Sequence, residues 1–352
     1  MEIAALVSGG VDSSVALALL KEQGYTPTAF FLKVWSEEDY GLGDCPWEVD
    51  QSFVFKVCHL LGIKAQVLAM QREYWDLVIA YTLEQIKNGC TPNPDVMCNK
   101  LFKFGAFYQR AGHEFDKIAT GHYARTGVSS DGQHHLLVSQ DRRKDQTYFL
   151  SQISRDQLAK IMFPVGDYDK NRVRELAARF KLPNAGRKDS QGICFLGKIN
   201  FRDFIKRHLG EKPGPILEWS SNKRIGDHRG FWFYTIGQRF GLDLAGGPWF
   251  VVDKNTNENI IYVSRGYDPA SLYQSTITLS HLNWINPLPA AQDTALPIQF
   301  KIRHTPEFQN GSLLRHADQA VITAAEPVRG VAKGQFGVIY YQEECLGGGV
   351  IS

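Results

Sequence analysis

The 352-residue chain contains no apolar run that approaches the ~20 residues a bilayer-spanning helix needs, so no membrane segment is expected. Internal repeats and low-complexity tracts are also missing, which argues against a solenoid or a disordered tail. The six cysteines, Cys45, Cys58, Cys90, Cys98, Cys194 and Cys345, form no C-x-x-C pair, against a zinc ribbon or thioredoxin-type site. There is no G-x-x-x-x-G-K-[ST], so the chain has no Walker A loop. The absence of G-x-G-x-x-G disfavours a dinucleotide fold. Net charge is only +2, which excludes a uniformly basic nucleic-acid coat. A first strand starts almost at once, at Ile3, so no leader peptide is expected, and a cytoplasmic chain with a reducing environment is.

What is present is ordinary globular material: 43% apolar and 22% charged residues supply an ample core. At roughly 150 residues per domain, the length predicts two or three domains. The first 125 residues alternate strand and helix. Ile3–Val7, Ala29–Val34, Ala65–Ala69 and Lys117–Thr120 read as buried strands. Helices are expected over Asp12–Gln23, around Phe53–Leu61, and near Tyr74–Lys87 and Asn99–Ala111. This alternation predicts an α/β domain with a parallel sheet. Beyond about residue 205 short β-branched and aromatic runs follow one another: Gly230–Ile236, Trp249–Val252, Ile260–Val263, Ser275–Leu279, Ile298–Ile302, Ala320–Ala324 and Gly337–Tyr341. They predict small antiparallel units. Charge is uneven: Lys170–Arg207 carries +8 against −6 for the remainder. By itself that describes a solvated helix face with basic loops; a phosphate-binding footprint is the sharper reading.

The strongest local signal is Ser8-Gly9-Gly10-Val11-Asp12-Ser13-Ser14, between the first strand and the first helix. Glycines at such a turn let backbone approach an anion, and the helix start offers free N–H groups with a positive dipole end. Asp12 is the candidate for a magnesium ion bridging phosphates. The S-G-G-x-D-S string resembles the PP-loop of ATP pyrophosphatases, which cleave ATP to AMP and pyrophosphate. Two cysteines stand in activating contexts. Cys98 is expected near a helix start, with Lys100 and Lys103 close by, and Cys194 lies in a Gly-bounded turn among Arg187, Lys188 and Lys198. The remaining four cysteines are expected to be small buried hydrophobes. Asp95, three residues before Cys98, suits a general acid/base or an N-cap of the helix carrying Cys98.

The strings SGGVDSS, C-P-W, TPNPDVMCNKLFKFG, ATGHYAR, KDQTYFL, DSQGICF, FYTIGQRFGL and CLGGGVI occur in order along nearly the whole chain. Together they resemble the tRNA-specific 2-thiouridylase (MnmA/TrmU) family. Leu6-Val7 stands where that family often has Gly-Met, and Leu32 where a Met often meets the adenine; both keep an apolar wall. The resemblance implies a parallel-sheet PP-loop domain over 1–204, a small central domain over 205–272 and a C-terminal β-barrel over 273–352. It implies ATP contacts at Leu6, Val7, Ser8, Gly9, Gly10, Val11, Asp12, Ser13, Leu32 and Gly121. Asn93, Pro94 and Asp95 would hold the target base. His122, Lys144, Asp145, Gln146, Arg303, His304 and Gln335 would touch tRNA. Cys194 would carry a persulfide, delivered by a sulfur-relay protein or cysteine desulfurase; either its terminal sulfur attacks C2 or hydrosulfide is freed near the base, and Cys98 would resolve it through a Cys98–Cys194 disulfide. The implied substrate is the wobble uridine of tRNAs for lysine, glutamate and glutamine, and with it the +8 segment becomes a phosphate footprint. A second sulfur chemistry, an iron–sulfur cluster on Cys98, Cys194 and Asp95, is the alternative, although ferredoxin-type cysteine runs are absent. Another PP-loop enzyme, or a non-catalytic RNA-binding homologue, completes the competing readings.

Overall fold

The computed structural model describes residues 1–35, 46–188, 201–266, 273–289, 291 and 293–352. Cys45, Cys194 and Lys198 lie outside the described residues. Strands β1 (Ile3–Leu6), β2 (Thr28–Lys33), β3 (Ala65–Ala69), β4 (Lys117–Ala119) and β7 (Ile161–Met162) form one all-parallel sheet, in the order β3-β2-β1-β4-β7. Side chains of a strand alternate between faces. Ile3, Ala5 and Val7 accordingly enter one core, with the helices Val11–Glu22, Pro46–Leu61 and Lys170–Arg179. Ala4 and Phe30 enter the other, with the helices over 71–87 and 94–110. Both faces are covered, which is why β1 and β2 read as near-continuous apolar runs.

Chain order reverses at β1: β2 and β3 lie to one side of it, β4 and β7 to the other. The carboxyl ends of β1 and β4 are therefore neighbours at a topological switch point, where open α/β sheets bind ligands. The Ser8–Ser13 loop leaves β1 there and Gly121-His122 leaves β4. The helices over 71–87 and 94–110 each contain a π-helical stretch, Trp75–Ile79 and Cys98–Ala106.

The central region is a four-stranded sheet, ordered β10 (Trp249–Asn255), β11 (Ile260–Arg265), β8 (Gly214–Glu218), β9 (Arg224–His228), with Ile216, Val251, Ile261 and Val263 in its core. The Gly230–Ile236 run is not a strand. Phe231–Phe233 forms a 3-10 turn whose Phe231, with Tyr234, plugs that core. The aromatic pattern reported burial, and the tight turn at Gly230 took the backbone out of extension.

The last region is a closed antiparallel barrel of six strands, β12 (Gln274–Trp284), β15 (Gln319–Val328), β14 (Gln309–His316), β13 (Leu296–Lys301), β16 (Phe336–Tyr341) and β17 (Glu344–Ile351). Pairing of β17 with β12 closes it and leaves no free edge inside the ring. A hairpin of the first region, β5 (Arg125–Val128) and β6 (His134–Leu137), extends this sheet by pairing β6 with β17. No described helix is long and apolar enough to cross a membrane.

Candidate functional site

The loop after β1 is held by its own hydroxyls. The Ser8 N–H donates to Ser13 Oγ at 3.2 Å, and the hydroxyls of Ser13 and Ser14 donate to the Gly10 carbonyl at 3.2 and 2.9 Å. Gly9 has φ +78, a left-handed conformation that suits glycine. Two side chains from far along the chain complete the clamp. Asn184 Nδ2 donates to the carbonyls of Gly9 and Gly10 at 2.9 and 3.2 Å and to Ser14 Oγ at 2.8 Å. Arg187 donates to the Gly9 carbonyl at 2.9 Å and to Asp50 at 2.7 Å. A peptide unit directs its C=O and N–H oppositely. Fixing the Gly9 and Gly10 carbonyls on these donors therefore turns the following N–H groups the other way, that of Gly10 toward Ser8 Oγ at 3.4 Å. The loop's own motif is legible in the sequence. Asn184 is not, and Arg187, expected beside Cys194, instead binds the Gly9 carbonyl and Asp50.

Gly121 lies against this loop so closely that a Cβ there would stand 2.6 Å from the Ser13 nitrogen. Leu6 and Leu32 sit at the ends of β1 and β2, half-buried against one core, and Val7 is buried in the other. Asp12 Oδ1 accepts from the Tyr123 hydroxyl at 2.9 Å and pairs with Lys170 Nζ at 2.6 Å. Among the described residues no group of three or more His, Cys, Asp or Glu side chains is disposed to hold a metal ion. Asp12 offers one carboxylate, with Oδ1 held by Lys170 and Tyr123; magnesium bound there would take its other ligands from substrate phosphates and water. Any iron–sulfur ligation would need Cys194, outside the described residues.

His122 joins the loop to the helix of Cys98. It shares a 2.8 Å hydrogen bond with Thr120 and packs between Phe104 and Phe163. Desolvation first, and Lys103 second, hold its pKa well below the ordinary imidazole value, so the ring is neutral. The helix over 94–110 starts at Asn93, whose side chain accepts from the Val96 N–H at 3.3 Å with Pro94 in the first turn. The N-cap is thus Asn93, not Asp95, because Pro94 fixes the first helical residue one place earlier. Cys98 is correspondingly beyond the first turn, at the start of the π-helical stretch, and 2% exposed. Cys58 and Cys345 are buried as expected, with burial raising the Cys58 thiol pKa to about 11, while Cys90 is half-buried.

The barrel builds the other wall. The Thr91 N–H donates to the Lys333 carbonyl at 2.8 Å, just ahead of Asn93. The Tyr148 hydroxyl lies 3.3 Å from Gln335 Oε1 and 3.2 Å from the Phe336 carbonyl. Tyr148 and Gln335, 187 positions apart, therefore meet where the first region packs on the barrel. Arg303 and His304 are exposed beside it, and His304 Nε2 donates to the Asp145 carbonyl at 2.9 Å. Lys144 and Gln146 are half-buried, with Gln146 Oε1 accepting from the Tyr123 N–H at 2.9 Å. The Asp145 side chain is 0% exposed and faces Lys301.

The basic segment is also not a bare footprint. Lys170 pairs with Asp12, Arg172 with Glu175, Arg179 with Glu22, Arg187 with Asp50 and Lys206 with Glu211. Counting charge along the chain hid these partners because most lie on other elements.

Comparison with known proteins follows this architecture. Residues 1–198 match the family model described as tRNA methyl transferase HUP domain, 202–265 its PRC-barrel domain, and 274–351 the aminomethyltransferase beta-barrel domain. Full-length relatives carry a different name. The chain is 50% identical to the tRNA-specific 2-thiouridylase MnmA of Parabacteroides distasonis, over 100% of this chain and 99% of the relative. It is 51% identical to MnmA 2 of Bacteroides fragilis, over 100% of both. Identity to MnmA of Porphyromonas gingivalis is 48%, over 100% of this chain and 99% of that one. With half its residues shared end to end and with the PP-loop at its switch point, the chain belongs to the tRNA-specific 2-thiouridylase family.

Proposed function

We propose that this protein is an ATP-dependent sulfurtransferase that replaces the C2 oxygen of the wobble uridine with sulfur in tRNAs for lysine, glutamate and glutamine. Relatives at about half identity bear the 2-thiouridylase name. Methyl transfer, the word in the family-model description, has no use for a pyrophosphatase loop. The observation that carries the reading is the junction at Gly121-His122: one residue packs on Ser13 of the nucleotide loop, the next on Phe104 of the helix bearing Cys98. Nucleotide loop and sulfur-handling helix are thereby put on either side of one strand end.

The uracil C2 oxygen is a poor leaving group, and its carbon, flanked by two nitrogens, is a poor electrophile. In the proposed sequence this oxygen attacks the α-phosphorus of ATP bound along Leu6–Ser13, Leu32 and Gly121, and pyrophosphate departs. The loop N–H groups and helix start stabilise the phosphate charge. Asp12 would hold a magnesium ion, which when bound neutralises charge on the departing pyrophosphate. Asn93, Pro94 and Asp95 receive the base, whose unstacking costs a few kcal/mol and least in a single-stranded loop. Asp95 takes the N3 proton of the base as its O2 attacks phosphorus. The terminal sulfur of a Cys194 persulfide, supplied by a relay protein or cysteine desulfurase, attacks C2 and AMP leaves. The Cys98 thiolate then attacks the Cys194 sulfur of the adduct, leaving the second sulfur on the uridine and a Cys98–Cys194 disulfide, which an external dithiol reduces.

The test is mass analysis of the wobble nucleoside, with nucleotide analysis, after incubation with ATP, unmodified tRNA and a persulfide source under iron-free conditions. A mass gain for sulfur replacing oxygen, with AMP and pyrophosphate formed, is expected. ADP as product would reject the pyrophosphatase chemistry, and thiolation only after iron is restored would favour the cluster alternative.

A further inference from the structure

Between the first region and the barrel, one ammonium is sealed inside the protein. Lys301, the last residue of β13, and Asp145, in the loop before Tyr148, are each 0% exposed in their side chains, with Nζ 3.7 Å from Oδ2. Among the described residues the ammonium has no hydrogen-bond partner. It lies 4.0 Å from the centre of the Phe308 ring and 5.7 Å from that of Tyr340, within cation–π range. The carboxylate is better satisfied: Oδ1 accepts from the Ser139 N–H at 3.1 Å and Oδ2 from the Thr147 hydroxyl at 2.7 Å. That hydroxyl lies 3.2 Å from the hydroxyl of Tyr340 on β16, a second link to the barrel.

Buried pairs of this kind are poor stabilisers, since desolvation offsets much of the attraction, yet stranding either partner is costly. Such a pair specifies one relative placement of the two parts that carry it. Here the residues on either side of the pair are the candidate RNA contacts: Lys144 and Gln146 flank Asp145, and Arg303 and His304 follow Lys301 by two and three positions. We infer that Asp145 and Lys301 are positioning residues for tRNA, a buried register pin that aligns Lys144 and Gln146 of the catalytic region with Arg303 and His304 of the barrel, and that Asp145 does not itself touch RNA. The inference rests on the tRNA-binding part of the proposed function.

The test uses the full-length protein and the variants D145N, K301M and D145N/K301M, with equilibrium binding of unmodified substrate tRNA, equilibrium binding of ATP and thermal midpoints. The parent protein is measured first: absence of tRNA binding there sinks the functional reading and not the pin. Given parental binding, K301M is expected to weaken tRNA affinity about 10-fold, the effect of ~1.4 kcal/mol, with ATP affinity unchanged. D145N should do the same, and the double variant should be no weaker than the worse single, because both act through one contact. Additive losses would give Asp145 an RNA contact of its own and overturn the inference. Parental affinity in folded K301M would overturn it too. If the single variants do not fold, the double variant, which strands no charge, decides by the same criterion: parental tRNA affinity refutes the pin.

Discussion

Asn184→Ala is the perturbation that best isolates the nucleotide loop. Asn184 is 1% exposed, and all three of its contacts with the loop come from Nδ2. Among the described residues its Oδ1 has no partner, and the three bonds from Nδ2 orient the amide. Removal strands no carbonyl outright. Gly9 keeps Arg187, and Gly10 keeps the Ser14 N–H and two serine hydroxyls. The loss is therefore that of ordinary hydrogen bonds, about 1 kcal/mol net each, some 2–3 kcal/mol at most. That total divides between lower stability and a looser loop. At ~1.4 kcal/mol per decade, about 10-fold weaker ATP binding is expected. Asn184→Asp keeps the shape but offers only acceptors to two carbonyls and sets a negative charge beside the loop, so it should bind ATP more weakly than the alanine variant. Equilibrium ATP binding with a thermal melt on the same samples reads both halves. ATP affinity within two-fold of the parent in a folded alanine variant, or an aspartate variant that binds better than it, would refute the clamp.

Three further outcomes are expected. Gly121→Ala places a Cβ against the Ser13 backbone and should reduce ATP binding below detection while costing about 1–3 kcal/mol in denaturant unfolding, as overpacking does. His122 is held neutral in the folded protein, whereas unfolded chains protonate it below its ordinary pKa of 6.5. The unfolded state then binds more protons, so this contribution is present above pH 6.5 and is lost as pH falls below it. A His122→Phe variant should show a flatter decline of thermal midpoint between pH 7 and 5 than the parent, and parallel curves would contradict the assignment. Cys98→Ser should accept sulfur on the protein yet fail to turn over; a parental rate of thiolation, read by mass analysis of the nucleoside, would remove Cys98 from the sequence of steps.

Much of the fold was legible because local pattern carried it. β1 and the Ala29–Leu32 run of β2 are apolar and covered on both faces, and the loop between β1 and its helix announces itself through glycine and serine. Period and turn chemistry are local, so they survive without the rest of the chain. The run 230–236 misled for the same reason: its aromatic residues report burial, which a plugged turn and a strand share. The short hairpin over 125–137 gave little apolar signal, since it draws its partner from β17, two hundred positions later.

Within the site, the sequence by itself determined the chemistry available: a phosphate loop, a carboxylate, thiols and the cations that follow them. Only the tertiary structure decided which groups face which. It put Asn184 and Arg187 behind the loop, brought Gln335 to Tyr148, turned Asp145 inward onto Lys301 and paired much of the basic segment with distant acids. The physical reason is range. Strand and helix patterns are set over a few residues, but a hydrogen bond or ion pair is satisfied by whatever atom lies within about 3 Å, and chain closure brings that atom from anywhere in the sequence.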